Sequence, residues 1–176
     1  YLRSGAIAKL SPIMSSVKEF ANNGGFVMGI CNGFQILCES GLLDGALLRN
    51  NNQLFVCQNQ HLKVESTDTV ITNAFTRGQA YNFPIAHAEG RFYADEETLN
   101  RLEANDQILF KYSNEGAEVG GDNNPNGSLR DIAGICNKGR NVFGMMPHPE
   151  RAADPKLANT DGMGLFESIV SALAVS

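Results

Sequence analysis

No apolar run in the chain approaches the ~18 residues that a membrane-spanning helix needs, and no basic, then apolar, then small-residue opening marks a secretory signal. No membrane address is expected. A CxxC pair is missing too. Cys31, Cys38, Cys57 and Cys136 lie far apart with no histidines gathered near them, so neither a zinc site nor a dense disulfide framework is indicated. Free thiols in a reducing compartment, and hence a cytoplasmic protein, are the expectation. Positive charge is short as well: 14 Lys and Arg stand against 19 Asp and Glu, and a net charge of -5 offers little to nucleic acid or an anionic membrane. There is no phosphate-cradling loop of the G-x-x-x-x-G-K type, no internal repeat and no low-complexity linker.

What is present fits one compact domain over 1–176, since a 43% hydrophobic fraction in 176 residues suffices for a real core. Ile7, Leu10, Met14, Val17 and Phe20 recur at helical spacing and predict one buried stripe, with a restart or kink at Ser11-Pro12 and a stop at Gly24-Gly25. Residues 26–30 form a short continuous apolar run, the pattern of a strand buried on both faces of a parallel sheet. A helix over 34–40, closed by Gly41, follows directly after Cys31. The middle is β-rich, with strands expected around 55–56, 61–65, 69–71, 83–86 and 91–93. Asp95-Glu96-Glu97 opens a short helix carrying Leu99 and Leu102, and 108–110 is a further strand. A turn at Asn124-Pro125-Asn126-Gly127 precedes strands at 132–136 and 142–146. A last helix is expected to carry Leu165, Phe166, Ile169, Val170 and Leu173 on one face.

Two segments carry chemistry. In Gly29-Ile30-Cys31-Asn32-Gly33 a cysteine stands between a buried strand and a helix with glycines on both sides, which is the layout of a nucleophile elbow. A helix amino terminus at that point also favours thiolate over thiol. A cysteine nucleophile needs a base, and of His61, His87 and His148 the last is best placed, in Met146-Pro147-His148-Pro149-Glu150. Flanking prolines hold that segment extended, so the Glu150 carboxylate reaches back to the His148 ring and fixes its tautomer. A solvated loop in which Glu150 pairs with Arg151 is the plain alternative. His61, on a mixed polar strand, reads as an ordinary strand residue.

Elbow and H-P-E together resemble class I glutamine amidotransferases, whose nucleophile motif G-x-C-x-G-x-Q is matched by Gly29, Cys31, Gly33 and Gln35, with His148 and Glu150 two apart near the carboxyl end. Within that superfamily the stretches Gly29-Ile30-Cys31-Asn32-Gly33-Phe34-Gln35-Ile36-Leu37, Ala86-His87-Ala88-Glu89-Gly90-Arg91 and Met145-Met146-Pro147-His148-Pro149-Glu150-Arg151 are similar to the small glutaminase of formylglycinamidine synthase. The likeness extends over essentially the whole chain. Tyr1-Leu2-Arg3-Ser4-Gly5-Ala6-Ile7-Ala8 resembles the segment that follows the family's Gly-Gly-x-Ser oxyanion loop, so that loop and the first strands are expected to precede Tyr1.

The resemblance implies an α/β, flavodoxin-like, three-layer fold with a mainly parallel sheet. It implies attack of Cys31 on the glutamine side-chain amide, release of ammonia and hydrolysis of a glutamyl thioester, with His148 as proton shuttle and Glu150 as its orienter. The N–H of Asn32 would be one oxyanion donor. Gln35 is either a glutamine contact or simply a polar residue on the first helical turn. His87 and Glu89 either line the glutamine site, face a synthase subunit, or satisfy each other. No metal or other cofactor is expected in this chain. ATP and magnesium belong to the synthase subunit that would receive the ammonia, often alongside a third small subunit. Another amidotransferase, a γ-glutamyl hydrolase and an inactive docking fragment are the competing readings.

Overall fold

The computed structural model describes residues 4–174, so Tyr1, Leu2 and Arg3 of the opening segment lie outside the described residues. Helices α1 (Ser4–Ala8) and α2 (Ile13–Asn22) divide the expected first helix at Ser11-Pro12. Pro12 is the N-cap residue of α2, a place where its missing N–H breaks no intrahelical bond. The predicted stripe is only partly buried. Met14 and Ala21 point inward, whereas Ile7, Leu10 and Phe20 are exposed. Among the described residues β1, the strand that follows these helices, stands at one end of the sheet.

Then come β1 (Val27–Ile30), α3 (Asn32–Glu39), β2 (Ala46–Leu48), β3 (Val56–Val64), β4 (Ala80–His87), β5 (Arg91–Tyr93), α4 (Glu96–Ala104), β6 (Ile108–Ser113), β7 (Ile132–Cys136), β8 (Val142–Met145) and α5 (Met163–Ala174). Six strands form one sheet in the order β1-β8-β7-β6-β3-β4, while β2 and β5 make a separate antiparallel pair. The α/β class holds, but the sheet is mixed rather than mainly parallel. Among the described residues β1 runs parallel to β8, and the other neighbours in this sheet are antiparallel. Continuous apolar strands signal burial on both faces, which β7 and β8 have in full, and that burial is compatible with either polarity.

Each face has its own core. Ile132 and Ile135 of β7 join Phe34 and Leu37 of α3 and Leu99 and Leu102 of α4 on one side. Ala133 and Cys136 join Phe83, Phe110, Ile71 and Leu165 on the other, which gives the three layers.

Two local expectations fail. Residues 69–71 form turns rather than a strand, because Thr69 and Thr72 hydroxyls bond to each other at 2.6 Å and the Ala74 N–H donates to Ser168 Oγ at 2.9 Å. Helix α5 buries Leu165 and Ser168, with Ile169 partly buried; Phe166 and Val170 face outward, and the Leu173 side chain lies outside the described residues. A polar Ser168 takes an inward place because Gly164 O accepts its hydroxyl at 2.6 Å. Helix α4 is as expected, and the Asp95 carboxylate caps it by accepting the Thr98 N–H at 2.7 Å.

Candidate active site

The parallel register of β1 with β8 sets Ile30 opposite Met145, and the Cys31 N–H donates to Met145 O at 2.8 Å. Cys31 and the 146–150 segment therefore leave adjacent strands at the same sheet edge, where loops of α/β proteins gather functional groups. At the elbow Cys31 has φ 53° and ψ -108°, a sparsely populated conformation for a residue with a side chain. Gly29 makes the turn possible by close approach: a Cβ there would lie 2.5 Å from Gly33 C and 2.7 Å from Leu37 Cδ1. Helix α3 starts at Asn32, so the thiol stands at its amino end as expected.

The thiol itself is half-buried, with Sγ 4.0 Å from Ala86 O. Burial pushes its pKa up, against the downward pull of the Asn32 N–H and of Arg151, while Glu150 adds to the rise. The expected preference for thiolate at a helix terminus is thus outweighed by desolvation. A resting thiol needs a base.

The candidate base, His148, lines the same cavity as Cys31. His148 is buried, anchored by its N–H to Pro84 O at 2.8 Å, and its Nδ1 lies 2.6 Å from Glu150 Oε1. A carboxylate only accepts, so Nδ1 carries a proton, and in the neutral ring Nε2 keeps the lone pair. His148 Nε2 is buried and has no partner among the described residues. The backbone differs from expectation. Residues Pro149–Ala152 form a 3-10 turn with proline in its first turn, and this turn, not an extended segment, brings Glu150 back to the ring. Glu150 Oε1 also meets Arg151 Nε at 3.6 Å, so the two pairings considered for it coexist.

A cavity of about 560 Å³ opens here, and its walls include Cys31, Asn32, Gln35, His87, Glu89 and His148. Glu150 stands behind His148. Gln35 is buried and gives Nε2 to Glu89 O at 2.8 Å, so it holds the rim of the cavity as well as lining it. His87 is 3% exposed, with both ring nitrogens lacking a hydrogen-bond partner among the described residues. Mutual satisfaction with Glu89 is therefore not its role. Burial lowers its pKa to about 4, with His148 adding to the fall and its own backbone opposing it. Gly90 is required beside it, because a Cβ there would strike the His87 ring. His61 sits in β3 opposite Asn82 and does not line the cavity.

Sequence reasoning missed Arg49, Phe55 and Arg151 on the wall. Arg151 adjoins the H-P-E motif and could have been found; Arg49 and Phe55 flank an irregular loop with no periodic signal. No three His, Cys, Asp or Glu side chains among the described residues gather as a metal site. The arrangement suits nucleophilic acyl transfer: a thiol and an imidazole on the wall of one cavity, one ring nitrogen unpartnered among the described residues and the other held by a carboxylate.

The CobB/CobQ-like glutamine amidotransferase domain family matches residues 4–164. Phosphoribosylformylglycinamidine synthase subunit PurQ of Koribacter versatilis is 52% identical over 99% of this chain and 75% of its own length. The Synechocystis subunit PurQ is 56% identical over 96% of this chain and 75% of its own. A solved structure of PurLQS from Thermotoga maritima superimposes with a TM-score of 0.84 at 41% identity, covering 98% of this chain and 74% of that one.

Proposed function

The chain belongs to the phosphoribosylformylglycinamidine synthase subunit PurQ family of glutamine amidotransferases, and on that premise we propose that it hydrolyses glutamine to glutamate and ammonia through Cys31, His148 and Glu150. The observation that carries this reading is His148 itself, held by Glu150 at 2.6 Å on Nδ1 and unpartnered on Nε2, beside the cavity that Cys31 lines.

Cys31 Sγ attacks the side-chain amide carbon of glutamine while His148 Nε2 takes the thiol proton, and Glu150 stabilises the imidazolium. The amide oxygen becomes an oxyanion facing the Asn32 N–H, which already points its dipole toward the sulfur. His148 then gives the proton to the leaving nitrogen, so ammonia departs and a glutamyl thioester remains. Water attacks that thioester with His148 again as base, releasing glutamate and restoring the thiol. Gln35, His87 and Glu89 bind and orient glutamine.

The ammonia passes to a synthase subunit that converts formylglycinamide ribonucleotide to formylglycinamidine ribonucleotide with ATP and magnesium, in a complex that includes a third small subunit. The name of the PurLQS neighbour supports such an assembly. Residues 1–176 act within it as one amidotransferase domain in the cytoplasm. No helix among the described residues is long and apolar enough to cross a membrane.

Labelling tests the nucleophile. A glutamine-mimicking electrophile should modify Cys31, be blocked by glutamine, and spare Cys57 on the surface and the buried Cys38 and Cys136. Burial pushes the Cys38 thiol well up and the Cys136 thiol to about 11, so neither is a competing thiolate. Labelling centred on another cysteine overturns the assignment. Supplying formylglycinamide ribonucleotide with the matching synthase tests the acceptor, and failure to form the amidine there would point to a different amidotransferase.

A further inference from the structure

The rim of the cavity opposite the elbow is the turn at 87–90 between β4 and β5, and it contains no regular secondary structure beyond His87. Its shape is set from outside. Asn50, fully buried, donates Nδ2 to His87 O at 2.9 Å and to Leu54 O at 2.9 Å, and its Oδ1 accepts the Gly90 N–H at 3.1 Å. Its own backbone N–H donates to Ala88 O at 2.8 Å. One residue therefore holds both ends and the middle of the turn, with one carboxamide hydrogen, the carboxamide oxygen and its backbone N–H, while the second carboxamide hydrogen goes to Leu54 O. Gln35 takes Glu89 O, and Asn126 takes Gly90 O at 2.9 Å. The bond to Leu54 ties the same clamp to the loop that carries Phe55, another wall residue. Only an amide side chain offers donors and an acceptor at this reach, and an apolar residue of equal size would leave buried backbone groups unpaired.

We propose that Asn50 is a positioning residue of the glutamine site: through the 87–90 turn it sets where His87, Ala88 and Glu89 face the cavity. The inference rests on the reading of this cavity as the glutamine site. It assigns Asn50 to substrate placement, not to the thiol chemistry, because no bond of its clamp reaches Cys31 or His148.

The test is glutaminase kinetics of the subunit assembled with its synthase partner. In Asn50→Ala the KM for glutamine should rise by about tenfold or more while kcat changes by less than about threefold. Alkylation of Cys31 by iodoacetamide, which needs no rim, should keep its wild-type rate. Asn50→Ser, which retains one hydroxyl, should show the same split at smaller size and serves if the alanine variant does not fold. A lowered melting temperature with wild-type KM, or a loss confined to kcat, would make Asn50 a structural residue and overturn the proposal. Gln35→Ala separates the premise from the inference. If KM is unchanged in Gln35→Ala and in Asn50→Ala, this cavity is not the glutamine site; if it rises only in Gln35→Ala, the role of Asn50 alone is wrong.

Discussion

The two walls of the cavity are built by different means. On one side Cys31 and the 146–150 segment issue from neighbouring parallel strands, so backbone pairing between β1 and β8 fixes their separation. On the other side the 87–90 turn is shaped by side chains that reach it from α3, from the loop after β2 and from the turn before β7. In the proposed reaction the first wall carries the groups that exchange a proton, where misplacement by an ångström is costly. In the same proposal the second wall holds substrate, for which a set of separate hydrogen bonds is sufficient. Damage to the first wall should therefore appear in kcat, and damage to the second in KM or stability.

The largest effect is expected from Glu150→Gln. A carboxamide can offer an N–H to His148 Nδ1, which favours the proton on Nε2, the atom that must accept the thiol proton. Glutaminase kcat should fall by up to about 10⁴-fold, by analogy with the Asp→Asn change in serine-protease triads. Folding should be nearly unaffected, since the Glu150 side chain is 44% exposed and its contact with Arg151 is an exposed ion pair. Turnover near wild type would reduce Glu150 to a partner of Arg151 and remove the distinction between the walls.

That asymmetry also decided what the sequence could reveal. Cys31, His148 and Glu150 were legible because each lies in a local pattern: an apolar run bounded by glycines, or two prolines around a histidine. The glycine argument holds at Gly29, which must admit the backbone of Gly33, but not at Gly33, where an added Cβ would meet nothing. Asn50 was not legible. Its bonds to His87 and Gly90 span 37 and 40 residues, and an asparagine in a polar loop looks like turn chemistry. Strand polarity was hidden too, because β7 is buried along its whole length and yields the same apolar run in either direction. At 69–71 a β-branched triplet reads as strand, but hydroxyl bonds local to the chain won over that propensity.

A smaller effect, and one in stability rather than rate, is expected at His87. Its folded pKa of about 4 lies below the ordinary 6.5, so above pH 6.5 both folded and unfolded chains hold it neutral and its contribution is fully present. As pH falls from 6.5 toward 4, the unfolded chain takes up a proton that the folded chain refuses, and stability is lost. The loss by pH 4 is roughly 3 kcal/mol. Carboxylates titrate in the same range, so the measurement is the difference between wild type and His87→Gln in denaturant unfolding across this window. The variant should lack this part of the acid slope. Parallel curves would mean that the imidazole is readily protonated in the fold, with a partner on the second wall.

The smallest effect is expected from Glu89→Gln, and it sharpens the comparison most because Glu89 serves the second wall in two ways. Its carbonyl oxygen accepts from Gln35 at 2.8 Å and belongs to the clamp, whereas its carboxylate stands in a half-buried position on the cavity wall. The substitution keeps the first and removes only the charge. Free glutamine carries an α-ammonium group, and a carboxylate facing it in a solvated site contributes about 0.2 to 1 kcal/mol. KM should therefore rise by roughly 1.4- to fivefold with kcat unchanged, and the rise should shrink as salt screens the pair. Stability should not move. Steady-state assays at low and high ionic strength measure all three. An unchanged KM at low salt, together with weaker assembly with the synthase subunit, would assign the carboxylate to the partner face and leave only the backbone of Glu89 in the glutamine site.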